Sequence, residues 1–303
     1  MASRLAQNIF HSTNHAAGNV PNDNIGNAIL TNVLPILVML DVSPSMNDNE
    51  RIEEQNTALF TLLESLSRNY RIRKITRISF CLFTREIKYT TNFMPLTDLK
   101  FPASPYLAGV TPKICTYQLD GHEQTYVLNV PRFQALDNDG TDIPRAVDTA
   151  LTMMQTYVSS LPKNKQQHYV PFLFFTSDGN PDLTQYHAID RDDYNRRTAA
   201  AADRMNNICS VKSHIDDLII PFFVGIGNAE EAYLRSFCNA FKNSVQLARQ
   251  EGEKPVNGKF LTFSNIAEQI AKAIAQSITL RESSQLLLSK IDTIIKQLQD
   301  SNE

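Results

Sequence analysis

Asp41, Ser43 and Ser45 stand on alternate residues directly after the apolar run 33–40, placing a carboxylate and two hydroxyls where a buried strand leaves its sheet. Two further oxygen-bearing pieces follow. Gly140-Thr141-Asp142 opens a long amphipathic stretch, and Thr176-Ser177-Asp178-Gly179 closes a second apolar run, 170–175. A hard divalent cation such as Mg²⁺ takes about six oxygen ligands at roughly 2.0–2.1 Å. Alternate residues in an extended turn can aim Asp41, Ser43 and Ser45 at one point, Thr141 adds a hydroxyl from a helix start, and Asp178 adds a second carboxylate. In open α/β sheets, ligands sit beyond the carboxyl ends of the strands, and all five residues map there. Mg²⁺ is the expected ion, with Mn²⁺ and Ca²⁺ as alternatives. Three of the five ligands are neutral, and carboxylates acting through water leave a coordination position open. An Asp or Glu from a protein partner is the natural ligand to fill it.

The elements that must position these residues follow from periodicity. Short apolar runs alternate with longer amphipathic stretches, the pattern of a mainly parallel sheet covered by helices on both faces. Strands are predicted at 34–40, 76–83, 169–175, 218–224 and 259–263, and helices at 50–69, 141–161, 191–208, 230–241 and 266–278. Pro144 falls in the first turn of its helix, where its missing N–H does no harm. After the second strand, Thr84-Arg85 predicts a turn into an antiparallel edge strand within 85–92. Residues 100–135 break the alternation with four prolines and two answering segments, 116–119 and 125–128, around Asp120-Gly121. This predicts a β-hairpin insertion over about 102–134, with four to five residues between its arms.

The domain organisation expected is an arm over 1–30, a main domain over 31–279 and an amphipathic helix over 280–303. The arm is rich in Asn, Gly, Ser and Ala, too poor in large apolar groups to offset its ordering entropy. In the last segment Leu287, Ile291, Ile294 and Leu298 make a short apolar seam.

A net charge of −3 over 303 residues gives no phosphate-seeking surface, so nucleic acid is not the expected partner. No stretch approaches the roughly 20 apolar residues that cross a bilayer, and the first residues lack the apolar core of a signal peptide. No membrane contact and a cytoplasmic location are the expectations. Cys81, Cys115, Cys209 and Cys238 form neither a CxxC pair nor a zinc spacing, and are expected as reduced, mostly buried thiols. Enzymatic readings fail on particular residues. An aspartyl-nucleophile phosphatase needs a second Asp two residues after the first, and Ser43 stands there. No Gly-x-Ser-x-Gly elbow or phosphate-binding loop is present, and Gly225-Ile-Gly227 lacks the third glycine of a dinucleotide site. The chain is expected not to be an enzyme.

Asp-x-Ser-x-Ser at 41–45, then Thr141, then Asp178 within Ser-Asp-Gly-Asn-Pro-Asp resemble the metal-ion-dependent adhesion site (MIDAS) of the von Willebrand factor A (vWA) domain, over roughly 34–278. The resemblance implies a Rossmann-like α/β vWA fold with one antiparallel edge strand. It implies Ser43, Ser45 and Thr141 as direct ligands, Asp41 and Asp178 acting through water, and a partner carboxylate completing the shell. Pro95-Leu-Thr-Asp-Leu99, the segment 174–182 and Val224-Gly-Ile-Gly227 further resemble stand-alone bacterial vWA proteins of the TerY type, from tellurite-resistance and stress clusters. That likeness implies a role in stress or defence signalling, with a protein kinase and a metal-dependent phosphatase as partners. The chain departs from the pattern at Pro44, at Ser177, and in its hairpin and N-terminal arm.

Two functions therefore stand side by side. One is a non-catalytic docking module whose metal takes an acidic residue of a partner. The other is a scaffolding subunit that assembles through the arm, the hairpin and the last helix, with a purely structural metal.

Overall fold

The computed structural model describes residues 33–119, 121–136, 140–161, 169–179, 190–208, 219–227, 229, 231–237 and 244–245. Along the chain the elements are β1 (Leu34–Asp41), a 3₁₀ turn (Pro44–Glu50), α1 (Arg51–Arg68), α2 (Tyr70–Ile75), β2 (Thr76–Phe83), β3 (Ile87–Thr90), β4 (Met94–Pro95), β5 (Leu107–Leu119) and β6 (His122–Phe133). They continue as α3 (Ile143–Ser160), β7 (Phe172–Ser177), α4 (Arg191–Ile208), β8 (Ile220–Gly225), α5 (Glu231–Ser236) and β9 (Ser244–Val245).

Every residue of β1, β7 and β8 is buried, as strands covered on both faces require. The sheet runs β3-β2-β1-β7-β8-β9, with β4 also paired to β2. β2, β1, β7, β8 and β9 are parallel, and β3 and β4 are antiparallel to β2. Alternate residues of β1 feed two cores. Leu34, Ile36, Val38 and Leu40 join the buried face of α1, including Leu59, Leu62, Leu63 and Leu66. Leu37 and Met39 join Val147, Ala150, Leu151 and Met154 of α3 and Ala201 and Met205 of α4. The chain is thus an α/β protein with a mainly parallel sheet, an antiparallel edge and helices on both faces. Among the described residues no helix is long and apolar enough to cross a membrane.

Several boundaries move. The first helix starts at Arg51 rather than 50 because Glu50 adopts a left-handed backbone, φ 62°, and Asn69 ends it before a short second helix. The third starts at Ile143, since Asp142 caps it by accepting from the Arg145 N–H at 3.2 Å. β7 begins at Phe172, because Pro171 has no N–H to give to the ladder. The hairpin is longer than its apolar arms suggested. Leu119 pairs with His122, and Gly121 has φ 80°. Asp-Gly favours such a two-residue loop, and the polar residues 122–124 pair through their backbones whatever their side chains. The segments 1–30, 259–263, 266–278 and 280–303 lie outside the described residues, as do Cys209 and Cys238. Cys81 is buried and Cys115 half-buried, both unbridged.

Candidate metal centre

The end of β2 organises two of the loops that carry candidate ligands. Val42 N–H donates to the Phe83 carbonyl at 3.0 Å, and Asp142 N–H donates to the next carbonyl, Thr84, at 3.1 Å. The loop after β1 and the residue following Thr141 therefore hang on consecutive carbonyls. On the other side of β1, Leu40 pairs with Thr176 of β7, so Asp41 and Ser177 are the next residues on adjacent parallel strands. Three neighbouring strand ends thus bring Asp41, Ser43, Thr141 and Asp178 to one edge of the sheet, and all four are buried. Ser45 is half-buried at the rim.

Hydrogen bonds join most of this set. Asp41 Oδ1 accepts the Ser43 N–H at 2.9 Å, and Asp41 Oδ2 accepts the Ser177 hydroxyl at 2.7 Å. The Ser43 and Ser45 hydroxyl oxygens lie 3.1 Å apart, so the alternate spacing does aim both side chains at one place. Ser177 Oγ also accepts the N–H of Gly179, whose φ of 67° lets the chain turn away from the strand. Thr141 sits one residue before the helix cap, a role that falls to Asp142. Asp142 is in turn held by Arg197 Nη1 on its Oδ2 at 2.6 Å. Asp48 and Glu50 are exposed on the 3₁₀ turn and at its end, and Asp182 lies outside the described residues.

Burial and the nearby charge of Asp178 push the Asp41 carboxyl from an ordinary 3.8 up to about 7, against the pull of its bonds to Ser177 and Ser43. Two buried carboxylates thus repel one another at the end of the sheet. The donor set suits a hard cation, being all oxygen and split between carboxylate and hydroxyl. Both Asp41 oxygens already accept protein hydrogen bonds, which favours contact through water over direct ligation. Ser43, Ser45 and Thr141 are the residues that would hold an ion directly. Among the described residues no cluster of three or more His, Cys, Asp or Glu is present, so a soft or zinc-like site is not formed there.

Three neighbours of the site carry no ligand motif in the sequence. Ser177, a departure from the vWA pattern, holds Asp41 in place. Gln55, buried in α1, donates to the Asp41 carbonyl at 3.0 Å and accepts from the Thr176 hydroxyl at 2.6 Å, tying α1 to both strand ends. Arg51 donates through Nη1 to Asp178 Oδ2 at 2.8 Å and to the Ser45 carbonyl at 3.3 Å. It is the sole basic residue between 41 and 55, a sign that could have marked it as the carboxylates' partner.

A cavity of about 1430 Å³ opens between α3 and the β3–β4 edge, with Phe93, Met153 and Tyr157 in its lining. Asp142 and Arg197 reach its wall, but none of the five candidate ligands does.

No protein-family model matches the chain, and no curated protein matches it. Among solved structures it is similar to proximal thread matrix protein 1 from the mussel byssus, at 11% identity and a TM-score of 0.39 over 82% of this chain and 48% of that one. It is also similar to the human COPII-coat protein Sec24c, at 13% identity and 0.36 over 82% and 32%. The pilus adhesin RrgA of Streptococcus pneumoniae gives 14% and 0.28 over 57% and 24%. The chain spans less than half the length of each. TM-scores this low decide nothing about function.

Proposed function

We propose that this protein is a non-catalytic docking module of the vWA type, in which a divalent cation, Mg²⁺ in the first instance, bridges the site to an acidic residue of a partner protein. The observation that carries this reading is the convergence of the Ser43 and Ser45 hydroxyls, 3.1 Å apart, beside the buried Asp41 and Asp178. Ser43, Ser45 and Thr141 ligate the ion, while Asp41 and Asp178 act through water. The enzymatic alternative has no nucleophile motif to rest on: the sequence holds no Gly-x-Ser-x-Gly elbow, and Ser43 stands where an aspartyl-nucleophile phosphatase needs a second Asp. On the likeness to TerY-type proteins, the reading extends to stress or defence signalling in a bacterial cytoplasm, with a kinase and a metal-dependent phosphatase as partners. The test is capture of partners from lysate with and without EDTA, using wild type and Ser43→Ala with Ser45→Ala. Metal-dependent capture by wild type alone is expected, and unchanged capture in EDTA overturns the reading.

A second reading, a scaffold with a structural metal, draws on the hairpin. Its outward face presents Ile114, 80% exposed, directly across from Val127, 58% exposed. Ile114→Asp with Val127→Asp, or truncation of 281–303, abolishes assembly under that reading. Light scattering measures it.

A further inference from the structure

Arg51 enters the candidate metal centre from the first turn of α1. Its Nη1 spans two of the loops that form the site, on Asp178 Oδ2 at 2.8 Å and the Ser45 carbonyl at 3.3 Å. Its side chain is only 14% exposed, and its Nε is buried with no hydrogen-bond partner. A third loop is shaped around it. Gly227 follows β8 at φ 61°, and a Cβ there would lie 2.9 Å from Arg51 Nε and 3.1 Å from its Cγ. The residue before Arg51, Glu50, takes a left-handed backbone as the chain enters the helix that delivers it. This is more constraint than a surface ion pair receives, and it holds a fixed positive charge inside a centre read as a cation site.

We propose that Arg51 sets the charge of the loaded centre: it weakens binding of the divalent cation and strengthens binding of the partner carboxylate to the cation once bound. This rests on the metal-docking reading above. The charges at this corner are Asp178, bonded to Arg51, Glu54, which the charge of Arg51 reaches, Glu50 acting on Glu54, and Asp41 acted on by Asp178. With the cation bound, the carboxylates are ionised in wild type and in a neutral variant alike. Removing one positive charge then makes the loaded centre one unit more negative. A dication is then bound more tightly and an incoming carboxylate more weakly. A merely structural arginine would give a different signature, since its loss would loosen the loops and weaken both.

The experiment titrates Mn²⁺ into wild type, Arg51→Gln, Arg51→Lys and Asp41→Asn, reading free Mn²⁺ by electron paramagnetic resonance. Acetate is then titrated onto the Mn²⁺-loaded proteins, reading loss of bound water by proton relaxation. Arg51→Gln is expected to bind Mn²⁺ about tenfold more tightly and acetate several-fold more weakly, as one partly buried unit charge implies. Arg51→Lys, which keeps the charge, stays within about threefold of wild type on both. If Arg51→Gln weakens both ligands, or Arg51→Lys behaves as Arg51→Gln, the proposal is overturned while the metal site stands. If neither wild type nor Arg51→Gln binds Mn²⁺ more tightly than Asp41→Asn, the metal reading itself has fallen and the proposal with it.

Discussion

The Ser177 hydroxyl donates to Asp41 Oδ2 at 2.7 Å, linking residues 136 apart in the chain across the adjacent ends of β1 and β7. With the Ser43 N–H on Oδ1, it fixes the carboxylate plane. Each oxygen already accepts one protein bond, an arrangement that fits a carboxylate meeting an ion through water.

Replacing Ser177 by Ala leaves a buried carboxylate oxygen short of its donor. The expected cost is about 1–3 kcal/mol in urea unfolding, the usual range for orphaning a buried polar group. Cation affinity falls as well, because Asp41 loses its fixed orientation. Ser177→Thr keeps the hydroxyl and is expected to recover most of both. Calorimetric Mg²⁺ titration beside the unfolding curve checks the pair.

Asp41 gives the metal-free protein a pH dependence whose sign is set by its raised carboxyl. The folded state holds the proton more tightly than the unfolded chain, so the group's contribution to stability is fully present below about pH 4. It is lost as pH rises through about 7. In EDTA, the free energy of urea unfolding should therefore fall between pH 5 and 8 more steeply in wild type than in Asp41→Asn, by on the order of 3 kcal/mol at the top of the range. Saturating Mg²⁺ should remove that difference in slope, because a bound cation favours the ionised carboxylate. Equal slopes for the two proteins in EDTA would count against a raised Asp41 carboxyl, which burial causes first and the charge of Asp178 second.

Local patterns carried much of the fold. β1 was legible from its near-continuous apolar run, which a strand covered on both faces requires, and β2 and α4 kept their predicted ends. The five candidate ligands were legible as residue types on strand and helix ends. Their supports were not. Gln55 and Arg51 sit in a helix whose apolar periodicity says nothing of its polar positions, and they matter through partners 121 and 127 residues away. Likewise the two short strands Met94–Pro95 and Ser244–Val245 carry no periodicity of their own and exist through pairing with β2 and β8.

Gly227 and Arg51 should be coupled. Gly227→Ala imposes a left-handed backbone on alanine, costing about 1 kcal/mol, and pushes its Cβ into the Arg51 side chain. The total loss in wild type is expected at about 2–3 kcal/mol. In an Arg51→Ala background the clash disappears and only the backbone cost remains. The double-mutant cycle in urea should return a coupling of about 1–2 kcal/mol.

Asn56 anchors the hairpin to α1. Its Nδ2 donates to the Phe133 carbonyl and its Oδ1 accepts the Phe133 N–H, both at 2.9 Å, so one side chain satisfies the backbone at the base of β6. At the far end the Arg73 guanidinium lies 3.8 Å from the ring centre of Tyr126 and 4.2 Å from that of Tyr117. Asn56→Ala orphans two buried backbone groups and is expected to cost about 2–4 kcal/mol. Hydrogen exchange should rise first at Val130–Phe133, where the anchor acts, and less at Thr116 and Thr125 beyond it. Because Asn56 touches none of the candidate ligands, the Mg²⁺-induced rise in melting temperature should persist. If that rise vanished with the hairpin anchor, hairpin and metal would form one cooperative unit, and the scaffold reading would gain over the docking one.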